Sequence, residues 1–271
     1  MTPATSTRGA SRIAVQSFMQ RALRRERVIL VAGLLLVIGL SWAYLLTGAG
    51  TMEEMGDMLM PMSSGPWDLA HALVMLAMWV VMMVAMMLPS AAPMILMYAT
   101  IVRNRQARGE EVTGPAVFAA GYASVWTGFS LVAVVLQYGL ESTALLSPMM
   151  ESTSVTLAAA LLIAAGAYQW TGLKQACLKH CRSPLEFMLT QWREGARGAF
   201  EMGLRHGAYC VGCCWMLMLL LFVGGVMNLM WISALAIYVL VEKLAPAGPW
   251  VGRAAGLVLV GWGIATLVGM R

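Results

Sequence analysis

The sequence predicts an all-α fold, a polytopic transmembrane helical bundle of about seven helices (six possible) with its N-terminus in the cytoplasm. Three observations carry this. Of the 271 residues, 60% are hydrophobic and only 11% charged, with a mean hydropathy of +0.74, whereas a soluble domain has roughly a quarter of its residues charged. The apolar residues gather into stretches close to the roughly 20 residues a helix needs to cross the hydrocarbon core, where every backbone group must be satisfied internally. The basic residues fall in alternate loops, as the positive-inside rule describes. The net charge of +5 therefore points to a membrane surface and away from nucleic acid.

Residues 1–27 read as a basic cytoplasmic arm. Arg8, Arg12, Arg21, Arg24, Arg25 and Arg27 would lie on the anionic inner leaflet, each contributing about 1 kcal/mol. The remainder, 28–271, reads as one transmembrane helical domain. Its first apolar stretch, 28–46, is long enough to be a retained anchor, and 47–51 is a weak small-residue site for signal cleavage. An outer loop follows at 48–66, with Met52, Met55, Met58, Met60 and Met62 among Glu53, Glu54 and Asp57.

The second stretch, 67–88, runs into Pro89 and Pro93, each of which removes a backbone donor, so a break is expected near its cytoplasmic end. Stretches 115–138 and 155–172 come next. After them lies the longest cytoplasmic segment, 173–206, where Leu185, Met188, Leu189 and Trp192 recur at helical spacing after Pro184 and predict a short amphipathic helix. Three further stretches follow at 207–225, 229–241 and 250–270. The sixth is short, and if it does not cross, the C-terminus changes side. Gly252 and Gly256 give the last helix a small-xxx-small packing face.

With seven crossings, all of the 18 basic residues except Arg271 fall on the cytoplasmic side. The outer loops then carry Glu53, Glu54, Asp57, Asp68, Glu141 and Glu151 and no Lys or Arg.

The cysteines are few and grouped. Cys177 and Cys181 flank His180 just after the fourth stretch, and Cys210, Cys213 and Cys214 open the fifth, with His206 four residues before Cys210. On a helix His206, Cys210 and Cys213 or Cys214 share one face. All five thiols come out near the cytoplasmic side, where thiols stay reduced, so metal binding or inert packing is expected in place of disulfides.

Methionine supplies a second signal, 24 in all. On the second stretch His71, Met75, Met78, Met82 and Met86 form a single stripe, and Met83, Met87, Met94 and Met97 add further thioethers toward the prolines. A thioether has no proton to lose, and thioether and thiolate ligands select Cu(I) over harder ions, with zinc the alternative for the thiols. The competing explanation is packing, since methionine is a flexible apolar residue. Glu242, beside Lys243 at the end of the sixth stretch, is a buried ionisable group by position; it would pair with Lys243, with His206 or with a bound cation.

The segments MWVVMMVAMMLPSAAP, KQACLKHCRSP, GLRHGAYCVGCCWMLM, GGVMNLMW and VEKL together resemble the bacterial family of predicted metal-binding integral membrane proteins, sometimes labelled copper chaperones. The resemblance runs from about Trp67 to Leu244 and implies metal binding at Cys177, Cys181, Cys210, Cys213 and Cys214. The Met-rich outer loop is not part of it.

These features predict a multi-pass protein of the bacterial inner (plasma) membrane. It would accept Cu(I) at a Met-rich outer side and hold or transfer it at a Cys-rich cytoplasmic side, in exchange with a copper donor or acceptor protein or within a larger membrane complex. No nucleotide-binding or phosphorylated-Asp motif is expected to drive the movement. The rival expectations are a membrane thiol or quinone oxidoreductase using Cys210, Cys213 and Cys214, and an assembly subunit with a Zn(II) site.

Overall fold

The computed structural model describes residues 28–47, 67–147 and 150–269, with the backbone of 52–55 and 58–61. Helices dominate: α1 (Val28–Leu46), α2 (Leu69–Gln106), α3 (Pro115–Ser142), α4 (Val155–Tyr168), α5 (Gly172–Arg182), α6 (Pro184–Gln191), α7 (Gly195–Leu219), α8 (Leu221–Gly224), α9 (Leu229–Leu244) and α10 (Gly248–Val268). Within the expected outer loop, β1 (Met52–Met55) pairs antiparallel with β2 (Met58–Pro61). The side chains of that loop and the whole basic arm, 1–27, lie outside the described residues.

Five helices among the described residues are long and apolar enough to cross a membrane: α1, α2, α3, α7 continued by α8, and α10. The count becomes six if α4 and α5, bent by 65° at their junction, form one broken crossing. The seventh crossing expected from the sequence rests on α9, whose 16 residues rise only about 24 Å, short of a hydrocarbon core of about 30 Å.

The interior is a continuous apolar core with a few buried polar groups, and the exterior is apolar as well. Leu35, Leu36, Val135, Leu257 and Val258 stand exposed on α1, α3 and α10, while Lys174, Glu242, Lys243 and His206 are buried. Such an apolar exterior is compatible with a membrane protein, in which buried polar groups must find partners inside.

The helix ends sort into two groups. Trp67, Glu141, the α3–α4 loop and the turn after α7 share one end: Trp67 Nε1 donates to Glu141, and Ser152 N to Phe222 O. The other end gathers the basic residues, where Arg105 reaches both Glu110 (3.1 Å) and Glu194 (3.4 Å) and lies 4.8 Å over the Trp192 ring.

Two departures from expectation affect the site. Helix α2 is not broken at the prolines but runs unbroken for 38 residues through Pro89 and Pro93. Near the disturbed turn the hydroxyls of Ser90 (2.8 Å) and Tyr122 (3.2 Å) both donate to Met87 O, so neighbouring side chains supply polar contacts there. Segment 173–206, expected to be a cytoplasmic loop, is largely helical, and α7 begins at Gly195, well before residue 207. The amphipathic helix after Pro184 is present as α6, but it buries Phe187 and Met188 and leaves Leu185 and Leu189 exposed.

Glycines set the helix approaches that hold the site. Gly121 of α3 and Gly203 of α7 face each other so closely that a Cβ on either would collide with the opposite backbone. Gly166 of α4 meets Gly256 of α10 in the same way, a Cβ at Gly256 coming 2.9 Å from Gly166 O. The small-residue face of the last helix is thus a close-packing surface.

Candidate functional site

Helix α7 places Cys210, Cys213 and Cys214 in the interior, all fully buried. The thiols of Cys213 and Cys214 donate back to Cys210 O at 3.1 and 3.0 Å, the local bond open to a short polar side chain one turn along a helix. Three other helices converge on the same residues. From α9, Lys243 Nζ donates to Cys210 Sγ at 2.9 Å and to Ser90 Oγ of α2 at 3.2 Å. From α3, the Tyr122 hydroxyl lies 3.1 Å from Cys210 Sγ. From α2, Met87 Sδ lies 3.9 Å from Cys214 Sγ, which donates to it.

Helix α5 brings the second pair of cysteines against the first. The Cys181 thiol interacts with Cys210 and Cys213. Cys177 packs on the bare backbone of Gly212, where a Cβ would stand 2.6 Å from its sulfur. All five cysteines are free thiols. As they stand, no group of three or more His, Cys, Asp or Glu side chains among the described residues is arranged to hold a metal ion. The cluster is a packed, sulfur-rich group of free thiols that donate to carbonyl and sulfur acceptors.

The histidines contact rings and backbone, although His206 lies near enough to Cys210 and Cys213 to interact with them electrostatically. His206 is buried in an aromatic box, with Tyr122, Phe118 and Phe187 at ring distances of 5.5, 6.1 and 5.7 Å, and its Nδ1 has no hydrogen-bond partner. His180 stacks on Tyr209 at 4.2 Å, with Nδ1 2.9 Å from Ala176 O. His71 sits at the opposite end of the bundle, edge-on to Trp67 at 4.8 Å.

The methionine stripe faces the core. Met75, Met78, Met82 and Met86 are all buried, and so are Met83, Met87 and Met94 on other faces of α2. At the far end of the stripe, Gln137 of α3 donates to Met75 Sδ (3.4 Å), to Met150 Sδ (3.3 Å) and to Glu141 Oε1 (2.8 Å).

Glu242 has a partner that sequence reasoning missed. Its carboxylate pairs with Lys174 Nζ of α5 at 2.8 Å, both side chains fully buried, and not with Lys243 or His206. Arg182 adds a second tie, donating through its guanidinium to Glu242 O and Pro246 O. Lys174 had counted only as a positive-inside charge and Lys243 also as a candidate partner of Glu242, yet both side chains are buried in the bundle. The available signal was the position of Lys243 beside Glu242 in an apolar stretch.

A family model described as copper chaperone, PpoB2, matches residues 76–266. The chain belongs to that copper chaperone family. The matched region takes in Met78, Met82 and Met86, all five cysteines and Lys243, and leaves out His71 and Met75. Neither a curated protein nor a solved structure matches the chain. Membership gives the chain a copper-related role, and soft sulfur donors grouped in a buried cluster are chemically suited to that cargo.

Proposed function

We propose that this copper chaperone homologue takes up Cu(I) at its Met-rich outer side, passes it along the interior face of α2, and holds it at the cysteines for transfer to a partner on the cytoplasmic side. The observation that supports this most is the junction of the two sulfur sets, the 3.9 Å contact between Met87 Sδ and Cys214 Sγ. Neutral thioethers bind Cu(I) weakly and exchange it readily, while thiolates bind it more tightly, so the order of ligands makes the movement downhill.

Charge supports the same assignment. A Cu(I) ion on a pair of thiolates carries one net negative charge, which is costly to bury alone. The Lys243 ammonium beside Cys210 balances it, since the neighbouring Lys174–Glu242 pair is neutral in itself. The bundle would sit in the bacterial inner membrane with its basic end in the cytoplasm, and the recipient would be a copper acceptor protein or a larger membrane complex.

The junction provides the test. In proteoliposomes exposed to Cu(I) on the outer side, Met87→Leu should slow the arrival of copper at the thiols without changing the amount held at saturation. Arrival at the wild-type rate would mean that copper does not reach the cysteines by way of α2.

A further inference from the structure

The far end of the methionine stripe contains a second convergence of ligands that the thiol cluster does not require. The Gln137 Nε2 atom has three acceptors: Glu141 Oε1 at 2.8 Å, Met150 Sδ at 3.3 Å and Met75 Sδ at 3.4 Å. A primary amide nitrogen has two hydrogens, and thioether sulfur is a weak acceptor. Two sulfurs and a carboxylate oxygen therefore surround a point that is richer in electron pairs than its occupant needs.

The surrounding structure holds these acceptors in place. Glu141 Oε2 receives Trp67 Nε1 at 2.8 Å, and Gln137 Oε1 receives Trp79 Nε1 at 2.8 Å. Met150 comes from the loop between α3 and α4, and its backbone is in the left-handed region at φ +55, which a branched or long side chain rarely adopts without compensation. The compensation is visible: Met150 N donates to Ser147 O at 2.8 Å, and Met150 O receives Val226 N at 3.3 Å. The loop is pinned to the turn beyond α8 in the conformation that buries the Met150 thioether.

We propose that Met75, Met150 and Glu141 form an acquisition site for a soft monovalent cation, Cu(I) in the cell, which takes the position now held by the Gln137 amide nitrogen. The thioethers supply soft donors that survive in an oxidising compartment. The carboxylate cancels the single positive charge, so the occupied site is neutral. Gln137 acts as a placeholder, satisfying the acceptors while the site waits and leaving when the ion arrives. This rests on the function proposed above and adds the site at which the ion first enters the interior.

Ag(I), a soft monovalent ion that needs no reductant, is the probe. It is titrated into the full chain in detergent micelles, in a background carrying Cys177→Ser, Cys181→Ser, Cys210→Ser, Cys213→Ser and Cys214→Ser. That background should retain Ag(I) binding, and Met150→Leu or Glu141→Gln within it should each weaken binding at least tenfold, whereas Gln137→Ala should not weaken it. Absorption-edge spectroscopy of the same background loaded with Cu(I) should show two sulfurs and one oxygen around the ion, a readout that does not depend on the single variants folding well. Unchanged affinity in Met150→Leu, or a copper shell without sulfur, would overturn the proposal. The thiol cluster is judged separately: equal metal content in the wild type and the five-Ser background would overturn that reading and leave this one standing.

Discussion

Lys243 places its ammonium 2.9 Å from the sulfur of Cys210 in the interior of the bundle, and the contact joins α9 to α7. It also donates to the Ser90 hydroxyl of α2, and among the described residues no carboxylate lies within ion-pair distance of it. In the function proposed above, a lysine held this way would balance the anionic form that the sulfurs take with copper bound.

Replacing Lys243 by Met should therefore lower copper affinity by about tenfold or more, the equivalent of at least 1.4 kcal/mol, while the metal-free protein melts at the same temperature or higher. The apolar replacement removes a buried charge that contributes little to stability unless it is paired. Copper per protein and thermal unfolding of the metal-free form, measured side by side, check this. A fall in melting temperature with unchanged copper affinity would make Lys243 a structural residue.

The Lys174–Glu242 pair should behave in the opposite way. Glu242→Gln or Lys174→Ala leaves one charge buried and uncompensated and is expected to destabilise the bundle by about 3–5 kcal/mol. The double substitution Lys174→Met, Glu242→Leu should recover most of that loss. Thermal unfolding of the two single variants and the double variant gives the comparison, and an additive loss in the double variant would contradict it.

Much of this arrangement was legible in the sequence because it follows from helical period and hydropathy. The apolar stretches became helices, and the grouping of the cysteines near the start of segment 173–206 and just beyond its end anticipated that α5 would lie against α7. What was not legible depends on distant partners. Lys174 and Glu242 are 68 residues apart, and nothing periodic links them. Met150 lies in an irregular loop, where spacing gives no face. Pro89 and Pro93 suggested a break, but the packing of α2 against its neighbours keeps the helix continuous. His206 was placed on the cysteine face correctly as a matter of helical phase, yet one turn away from Cys210 the neighbours are rings and not sulfurs.

Gly203→Ala should separate α3 from α7 and cost about 1–3 kcal/mol, the usual penalty for overfilling a close contact. Copper retention should fall with it, because Tyr122 and Cys210 lie on the two helices being parted. Gly128→Ala, where an added Cβ meets nothing within 4 Å, should leave both unchanged. Stability and copper content of the two variants decide the matter.

The proposed orientation predicts that a protease site inserted between Arg108 and Gly109, in the exposed turn after α2, is cleaved in inside-out membrane vesicles and protected in right-side-out ones. Cleavage only in right-side-out vesicles would reverse the bundle and place the cysteines on the oxidising side.

The central claim, that the thiols of α7 hold the copper, is tested most directly by the metal content of Cys210→Ser, Cys214→Ser purified under reducing conditions. Both positions are buried, and serine keeps the size and the capacity to donate to a carbonyl, so the metal-free bundle should remain folded. The account predicts that this variant loses the tightly held copper and keeps at most the weakly bound ion at the thioether site of Met75 and Met150, while Met82→Leu retains the wild-type amount. A double-Ser variant that still carries its full complement of copper would show that these cysteines only pack the core.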